Sequence, residues 1–533
     1  MFDLFQRKQG TYKDDVLSGL TVALALVPEA IAFSFLAGVS PLIGLWSAVF
    51  VGLITASMGG RPGMISGATG AVAIVAAKAV HLGELAGGED MGLKYLFVTL
   101  ILAGILQMAA GALKLGRFIR LVPHPVMIGF VNGLAIVIGL GQLGFFKKLA
   151  TVTDDGTRVM EWLSGGPLAL MIGLVLASMA IIHFLPKLTK AVPSALAAIL
   201  LIGTLGYFGV FDTRTIADVL KDGGGDGTLS NAFPVPANLA GLSWDWPFLK
   251  TILPISLTIA LVGLIESLMT LQLIDEITET RGRGNRECLA QGGANILSGL
   301  FGGMGGCAMI GQSLINIKSG GRGRTSGITA AVALALFILF AGPVIVQIPI
   351  ASLVGVMFMV VIGTFEWSSL KTFGKVPFSE ILVILAVTLV TVFLHNLALA
   401  VFVGVILSAL VFAWESSRHV HVELVHDTPD ERIYSLEGLL YFGSVRDFTD
   451  HFQARSDVMN IVIDFARARV CDLSGLEAIN ALAERYRKAG KNLRLRHLSP
   501  DCRHMLERAG TIVNVEVLPD DPDYTVAKLK ARA

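Results

Sequence analysis

The sequence predicts a polytopic α-helical membrane domain of fourteen segments, built as two inverted repeats of seven, followed by a small cytoplasmic α/β domain. Three observations predict this fold class: charged residues are unevenly distributed, long apolar stretches recur along most of the chain, and two short glycine-rich segments occupy matching places in its two halves. Charged residues make up 16% of the 533 positions and hydrophobic residues 53%, whereas a soluble chain carries about 25% charged residues. The composition therefore excludes an ordinary soluble enzyme.

The charged residues divide the chain into two parts. Residues 419–533 contain 34 charged residues, and the preceding 418 positions contain the other 49. We therefore predict a cytoplasmic N-terminal segment over residues 1–15, a transmembrane domain over 16–418 and a cytoplasmic domain over 419–533. The net charge of +1 gives no reason to expect nucleic-acid binding. The four cysteines lack the spacing of a zinc site or a disulfide framework, so we expect no metal centre and no bound cofactor.

Fourteen apolar segments follow one another in the first part. Twelve are long enough to cross a bilayer, which takes about 20 mostly apolar residues. These full spans lie near residues 16–36, 41–58, 93–113, 124–146, 167–185, 192–210, 251–274, 288–303, 325–347, 350–364, 377–395 and 396–415. The other two segments, near 69–81 and 308–317, are too short or too interrupted by glycine to cross alone.

Basic residues support this count and orient the segments. Loops after even-numbered segments contain fourteen Lys and Arg residues, and loops after odd-numbered segments contain six. Because cytoplasmic loops are enriched in Lys and Arg, we expect both termini in the cytoplasm. The N-terminus also lacks the features of a cleaved secretory signal. We therefore expect an integral protein of the bacterial inner membrane, embedded in the lipid bilayer.

The two short segments are the third of each half, and each follows a run of small residues, 61–70 and 302–311. Because seven is odd, two such halves are inserted with opposite topology, and paired interrupted helices of this kind mark the substrate site of many transporters. A helix that begins inside the membrane directs unpaired N–H groups and its positive dipole end at an anion. The alternative is that these glycines only allow close helix packing.

Two acidic residues lie in the middle of predicted spans, where an acid costs about 2.5–3.5 kcal/mol. Glu29 is in the first segment and Glu266 in the eighth, which are corresponding segments of the two halves. Thr270 lies four residues after Glu266 and shares its helix face. This pair suits a Na⁺ ion or a proton-linked network. A protonated glutamate with a purely structural role is the alternative for each acid.

Several motifs resemble the SulP anion transporters, a family of sulfate, bicarbonate and dicarboxylate carriers that includes the motor protein prestin. These motifs cover residues 28–33, 67–70, 121–133 and 302–316. The resemblance implies a seven-plus-seven inverted-repeat fold with a mobile core and a gate or scaffold domain, which operates by alternating access. It also implies an anion pocket formed by Phe33, Thr69 and the start of the tenth segment. We expect the anion-binding residues to be Phe33, Thr69, Gly70, Ala71, Ile310, Gly311, Gln312 and Ser313.

Animal members of that family often carry an arginine early in the tenth segment, where this chain has Gln312. Without a fixed positive charge, nearby acids repel an anion unless a proton or another cation neutralises them. We therefore expect secondary active symport of an inorganic or small organic anion with Na⁺ or H⁺, with Glu29, Glu266 and Thr270 as the coupling residues. A passive anion channel or exchanger of the same fold is the alternative.

Other functional classes find less support in the sequence. It contains no clustered nucleophile and base of the kind an enzyme requires, and no phosphate-binding loop ending in Gly-Lys-Ser/Thr, which an ATP-driven pump requires. A nucleobase transporter is built on a related repeat plan, but the tail and the motif at 302–316 argue against it. The sequence therefore favours a transporter, and we do not expect an enzyme.

The tail alternates strands and helices, which predicts a small α/β domain. We expect strands around a turn over 432–443, a helix over 444–455, a strand over 460–465, a helix over 476–489 and a strand over 492–498. The loop 471–475 between strand and helix resembles that of a STAS domain, in which the serine matching Ser474 is phosphorylated in bacterial anti-sigma-factor antagonists. The alternative is that Asp472 and Ser474 only cap the helix. We expect a homodimer and cytoplasmic partners of the STAS domain.

Overall fold

The computed structural model divides into two compact units, Met1–Val405 and Ile406–Ala533. The first eleven residues of the predicted N-terminal segment lie outside the described part of the chain. The structure describes residues 12–117, 122–152, 158–188, 194–222, 228, 233–242, 244–371, 374–394, 397–417, 420–508 and 515–519.

Each of the fourteen predicted segments coincides with a helix. The helices are α1 (Tyr12–Leu36), α2 (Pro41–Met58), α3 (Gly70–Gly87), α4 (Glu89–Ala112), α5 (His124–Gln142), α6 (Gly165–Leu188), α7 (Ser194–Tyr207), α9 (Trp246–Thr278), α10 (Gly284–Leu300), α11 (Ile310–Lys318), α12 (Arg324–Ile345), α13 (Ile350–Thr364), α15 (Phe378–Leu394) and α16 (Leu397–Ser417). Two short helices, α8 (Ile216–Asp222) and α14 (Ser368–Lys371), lie between them. Among the described residues, nine helices are long and apolar enough to cross a membrane.

Three of the predicted full spans form shorter apolar helices, since α7, α13 and α15 have 14, 15 and 17 residues. Two other segments differ more from their predicted character. The third segment was expected to be short, but α3 has 18 residues and is long enough to span, whereas α11 has nine and is short as predicted. The ninth, α10, is polar for a span, and its Gln291, Asn295 and Ser298 are fully buried. These side chains bond to protein groups, as when the Asn295 amide donates to Gln107 Oε1 at 2.8 Å. Because α10 packs against α2, α4 and α9, its polar residues need not face lipid.

The packing of the helices repeats between the two halves of the membrane unit. Helix α4 packs on α9 and α10, and α12 packs on α1 and α2. These are equivalent sets, because α4 and α12 are the fourth segments of their halves, and each contacts the first and second segments of the other half. Likewise α5 packs on α15, and α13 packs on α6. The contacts therefore agree with a seven-plus-seven repeat.

A two-stranded antiparallel sheet joins the two halves at their centre. Strand β1 (Ser66–Gly67) pairs with β4 (Cys307–Ala308), and both are fully buried. Strands β2 (Lys147–Val152) and β3 (Arg158–Trp162) form a separate hairpin between α5 and α6. A Cβ at Gly306 would overlap the carbonyl oxygen of Gly67, so the pairing requires glycine there. Because α3 follows β1 and α11 follows β4, the sheet brings the starts of these two helices together.

The second unit contains a five-stranded sheet in the order β5-β6-β7-β8-β9. Its strands are β5 (His421–Asp427), β6 (Glu431–Leu440), β7 (Asn460–Val470), β8 (Asn492–Arg496) and β9 (Glu516–Val517), and its helices are α17 (Val445–Asp450), α18 (Leu473–Lys488) and α19 (Pro500–Arg508). Strands β5 and β6 are antiparallel, and the other neighbours are parallel. The expected turn within residues 432–443 is wrong, because the hairpin turn lies between β5 and β6. Helix α17 is also shorter than predicted.

Candidate functional site

A cavity of about 950 Å³ lies at the starts of α3 and α11, the helices that follow the two strands of the central sheet. Most of the predicted site residues line it together. On its wall are Glu29, Phe33, Thr69, Gly70, Glu266, Ile310, Gly311 and Gln312. These residues come from α1, the start of α3, α9 and the start of α11, so the fold assembles them from both halves of the sequence.

The two helices that begin at the cavity are not capped by side chains. Thr69 is the N-cap residue of α3, with extended backbone angles of φ −125° and ψ 151°, and Met309 is the N-cap residue of α11. Neither side chain bonds to the first turn of its helix. The first N–H groups of a helix have no partner within it. Both helix starts therefore direct unsatisfied donors and a positive dipole end at the cavity.

Phe33 and Gly70 shape the apolar part of the wall. Phe33 is buried, and a Cβ added at Gly70 would lie 2.9 Å from its ring. Glycine at this position therefore lets the aromatic ring lie directly against the start of α3. The rest of the apolar wall comes from α5 and α13, including Phe130, Leu134 and Val360.

Two of the predicted anion-binding residues lie behind the wall. Ala71 is fully buried and does not line the cavity. Ser313 is also fully buried, and its Oγ accepts from the backbone N–H of Ile65 at 3.0 Å and donates to the Ile65 carbonyl at 3.3 Å. Ser313 thus connects α11 to Ile65, the residue directly before β1. Its geometry supports a role in holding the two helix starts together.

The two intramembrane acids have uncharged neighbours. The side chain of Gln312 lies beside the Glu29 carboxylate. The Cys307 thiol donates to Glu266 Oε2 at 2.8 Å, and Cys307 Sγ lies 3.0 Å from Thr69 Oγ1. The Thr270 hydroxyl donates to the backbone carbonyl of Glu266 at 2.8 Å and is fully buried. Thr270 remains one turn from Glu266, as the spacing predicts, but its hydroxyl proton is used within α9.

Four charged or titratable residues at the mouth of the cavity were not predicted. They are His124, Glu276, Lys318 and Glu366, and all four are exposed. Glu276 follows Glu266, Met269 and Leu273 at the spacing of a single helix face, and all of these residues line the cavity. The pattern at 266, 269, 273 and 276 was therefore the signal that the sequence offered for Glu276.

Metal ligands are not clustered in the described parts of the chain. No group of three or more His, Cys, Asp or Glu side chains there has an arrangement that holds a metal ion. Of the predicted pair Glu266 and Thr270, Glu266 lines the cavity, whereas Thr270 is fully buried and does not line it.

Comparison with known proteins identifies the family of this chain. A model of the sulfate permease family matches residues 12–388, and a model of the STAS domain matches residues 422–518. The chain belongs to the sulfate permease family. Its predicted fold class, a helical membrane transporter followed by a STAS domain, is thereby confirmed.

Two curated relatives of this chain extend over nearly the same length. The "Putative sulfate transporter YbaR" of Bacillus subtilis is 39% identical over 95% of this chain and 99% of its own. The "Bicarbonate transporter BicA" of Picosynechococcus sp. is 30% identical over 85% of this chain and 82% of its own. Because the relatives are named transporters, this member of the family is a transporter and not an enzyme.

Solved structures show the same fold. The transmembrane domain of a cyanobacterium bicarbonate transporter BicA has a TM-score of 0.60 and 30% identity, and covers 74% of this chain and 97% of its own. The murine Solute Carrier 26 family member A9 anion transporter in the inward-facing state has a TM-score of 0.75 at 17% identity, and covers 95% of this chain and 88% of its own. The second likeness concerns the fold alone.

The loop at 471–475 of the STAS domain has a definite cap. Asp472 is the N-cap residue of α18, and its carboxylate accepts from the backbone N–H groups of Gly475 and Phe442, both at 2.9 Å. Asp472, and not Ser474, is therefore the capping side chain. Phosphorylation of the half-buried Ser474 stays a prediction.

Proposed function

We propose that this member of the sulfate permease family is a secondary active transporter of small oxyanions, with sulfate and bicarbonate as the first candidates, and that a cation enters with the anion. The names of the relatives supply the substrate class. The uncapped starts of α3 and α11 supply the chemistry, because N–H groups and helix dipoles attract an anion without a dedicated basic residue. Six of the predicted anion-binding residues line the cavity at this point: Phe33, Thr69, Gly70, Ile310, Gly311 and Gln312.

The charge of the cavity is the observation that carries cation coupling. Among the described residues on its wall are four carboxylates, Glu29, Glu266, Glu276 and Glu366, against a single lysine, Lys318, and one histidine, His124. An anion entering this cavity is repelled by the acids as long as they are ionised. A proton or Na⁺ that neutralises an acid removes this repulsion, and its gradient supplies energy for uptake.

Glu266 is the acid that we assign to coupling first. It is half-buried on the cavity wall, and Cys307 and the Glu266–Thr270 helix turn surround it with uncharged groups. Glu29 occupies the corresponding segment of the first half and has the neutral Gln312 as its neighbour. Because neither acid is neutralised by a basic side chain, either can accept a cation. If a glutamate had only a structural role, removing its charge would leave the accumulation of the anion unchanged.

The cavity mouth suggests an inward-facing state. Lys318 and Glu276 lie at the ends of α11 and α9, next to the basic loops that we expect in the cytoplasm. With that orientation both termini and the STAS domain are cytoplasmic, and the protein resides in the bacterial inner membrane. Homodimerisation and STAS-mediated partners are further proposals that rest on the family resemblance.

Transport by purified protein in proteoliposomes tests the proposed function. Uptake of radiolabelled sulfate, bicarbonate and a C4-dicarboxylate is measured under separate inward gradients of Na⁺ and H⁺. We expect at least one of the anions to accumulate above equilibrium with one of the gradients. The sulfate arm is the cleaner one for protons, because bicarbonate itself takes up protons.

The variant Glu266→Gln keeps the shape of the side chain and removes its charge. We expect it to lose gradient-driven accumulation at least tenfold while still equilibrating the anion. Glu84→Gln, an exposed position on α3 outside the cavity wall, serves as the matched control and should behave as wild type. Unchanged accumulation by Glu266→Gln would overturn coupling through this residue, and cation-independent unitary conductance in the wild type would identify a passive channel.

A further inference from the structure

Cys307 connects the anion pocket to the proposed coupling acid. It lies in β4 with no solvent-exposed surface. Its Sγ donates to Glu266 Oε2 at 2.8 Å, and the same sulfur lies 3.0 Å from Thr69 Oγ1. Glu266 belongs to α9 and Thr69 begins α3, so one thiol bridges two elements from different halves of the transporter.

The protons available to these three groups restrict how they hydrogen-bond. A thiol and a hydroxyl each have one proton to donate, and an ionised carboxylate has none. While Glu266 is ionised, the thiol proton is held by its carboxylate, because a hydrogen bond to an ionised acceptor is the stronger one. Thr69 then meets the sulfur as the donor. In this state the Thr69 proton points at Cys307 and away from an anion in the cavity.

A cation on Glu266 changes this arrangement. Once a proton or Na⁺ neutralises the carboxylate, its attraction for the thiol proton falls, and the S–H is free to turn to Thr69 Oγ1. The Thr69 hydroxyl now accepts from Cys307 and directs its own proton into the cavity. Cys307 and Thr69 each keep their proton throughout, and only the directions of the hydrogen bonds change.

We propose that Cys307 is a positioning residue through which cation binding at Glu266 prepares Thr69 to bind the anion. This inference rests on the proposed symport and adds the residue that joins its two sites. The coupling is reciprocal. A cation on Glu266 favours the hydrogen-bond direction that prepares Thr69 for the anion, and a bound anion favours the direction that accompanies the cation. The other charged groups around the cavity, Glu29, Glu276, Glu366, Lys318 and His124, lie on its wall without belonging to this chain of hydrogen bonds.

The backbone around Cys307 is held by other residues. The Asn295 side chain accepts from Gly306 N at 3.0 Å, Gln291 donates to the Gly306 carbonyl at 2.7 Å, and Ser267 Oγ accepts from Ala308 N at 3.1 Å. Strand β1 pairs with the other edge. A change of the side chain at position 307 therefore alters the relay while the frame keeps its hydrogen bonds.

Transport kinetics of side-chain variants test the relay. The KM for the anion identified by the wild-type panel is measured in proteoliposomes at limiting and at saturating coupling cation, for Cys307→Ala, Cys307→Ser and Cys288→Ala. The ratio of the two KM values measures the coupling. We expect Cys307→Ala to reduce this ratio at least threefold, and Cys307→Ser, which retains one donor and its lone pairs, to restore most of it. Cys288→Ala, another fully buried cysteine, should keep the wild-type ratio.

The outcomes separate the two proposals. A wild-type ratio in Cys307→Ala overturns the relay and leaves symport intact, whereas a wild type without cation dependence overturns symport and the relay together. An infrared measurement covers the case in which Cys307→Ala is unstable, because it needs only the wild type and Cys307→Ser. The S–H stretch of Cys307, assigned by subtracting the Cys307→Ser spectrum, should shift when the coupling cation is added, and a band that stays unchanged contradicts the relay.

Discussion

Acidic side chains are withdrawn from solvent in both compact units, but they are partnered differently. In the STAS unit Asp457 accepts from Arg432 Nη1 at 2.8 Å and from the hydroxyls of Tyr434 and Tyr486. Asp464 of the same unit likewise has charged and titratable partners, Arg496 and His497. In the membrane unit Glu29 and Glu266 instead lie beside an amide and a thiol. The STAS unit thus pairs these two acids with basic side chains, whereas Glu29 and Glu266 lie beside uncharged groups.

The difference bears on the coupling role that we propose for Glu29 and Glu266. Burial alone would raise the pKa of Asp457 and of Asp464, but hydrogen bonds outweigh burial and hold both pKa values below the ordinary range. These acids remain ionised and gain nothing from a solute cation. An ionised acid with neutral partners has no opposite charge beside it, so a bound proton or Na⁺ supplies an electrostatic attraction that its partners do not. The partners of an acid therefore predict its role better than its burial does.

Giving the membrane acid an arginine should remove this difference and have the largest effect. In Gln312→Arg the guanidinium lies beside Glu29, where two charges about 4 Å apart interact by about 4 kcal/mol at an effective dielectric constant of about 20. Part of that energy is lost to desolvation. We expect the dependence of sulfate uptake on the coupling cation to fall at least tenfold, as measured by uptake with and without the gradient.

The control places the same charge elsewhere on the cavity. Gln272 is exposed and lines the same cavity, so Gln272→Arg adds an arginine without pairing it with Glu29. This variant should keep its cation dependence. Sulfate binding to the purified protein is measured in parallel, and binding by Gln312→Arg that is as cation-dependent as in the wild type would contradict the role assigned to neutral partners.

The membrane half of this comparison was largely readable from the sequence. Apolar length and loop charge locate fourteen segments, and mid-span acids stand out because a charge is costly there. The sequence does not show that Cys307 reaches Glu266, because 41 positions separate them and the thiol is brought into place by the packing of β4 on α9. It likewise misjudges α3, since a glycine-rich start does not reveal where a helix ends. The sequence locates the polar segment α10, but it does not show that other helices bury its polar side chains.

The STAS half was less readable, because its key contacts are between distant residues. Alternation predicts strands and helices, yet it places the first turn within β6 and not before it. Asp457 lies in a loop between α17 and β7, and no spacing rule connects it to Tyr486, 29 positions away. Local patterns find elements and caps, whereas the partners of a buried charge depend on how the sheet is ordered.

Removing the charge of Asp457 should have an intermediate effect, on stability only. Asp457→Asn removes the negative charge and replaces one of the two oxygens that accept from Arg432, Tyr434 and Tyr486 with an amide donor. A buried polar group that loses its partner costs about 1–3 kcal/mol. Hydrogen exchange of the full-length protein, followed in peptides from β7 and β8, measures this loss. Asp450→Asn is the control, since Asp450 is exposed and its distance from Arg446 is 3.8 Å. Equal protection in both variants would contradict a structural role for Asp457.

The same acid predicts a dependence on pH. Because the pKa of Asp457 is lowered on folding, its contribution is complete above the unfolded value, which is near 3.9, and is lost as the pH falls through the folded pKa. Protection of β7 in the wild type, corrected for intrinsic exchange rates, should therefore be level above about pH 5 and decline below about pH 4. The decline should be shallower in Asp457→Asn, where Asp464 is the remaining acid with a lowered pKa among the described residues, and an equal decline would contradict the assignment.

The smallest effect should come from the acid whose partners are only backbone groups. Asp472 accepts from two N–H groups, and loss of a capping side chain costs about 0.5–2 kcal/mol, so Asp472→Ala should lower the exchange protection of the first turns of α18. Ser474→Ala should change it by no more than a few tenths of a kcal/mol, because Asp472 already supplies the cap. If Ser474→Ala destabilised α18 as much as Asp472→Ala, the serine would share the capping role. If it does not, the position is free to accept a phosphate, which a helix N-terminus stabilises.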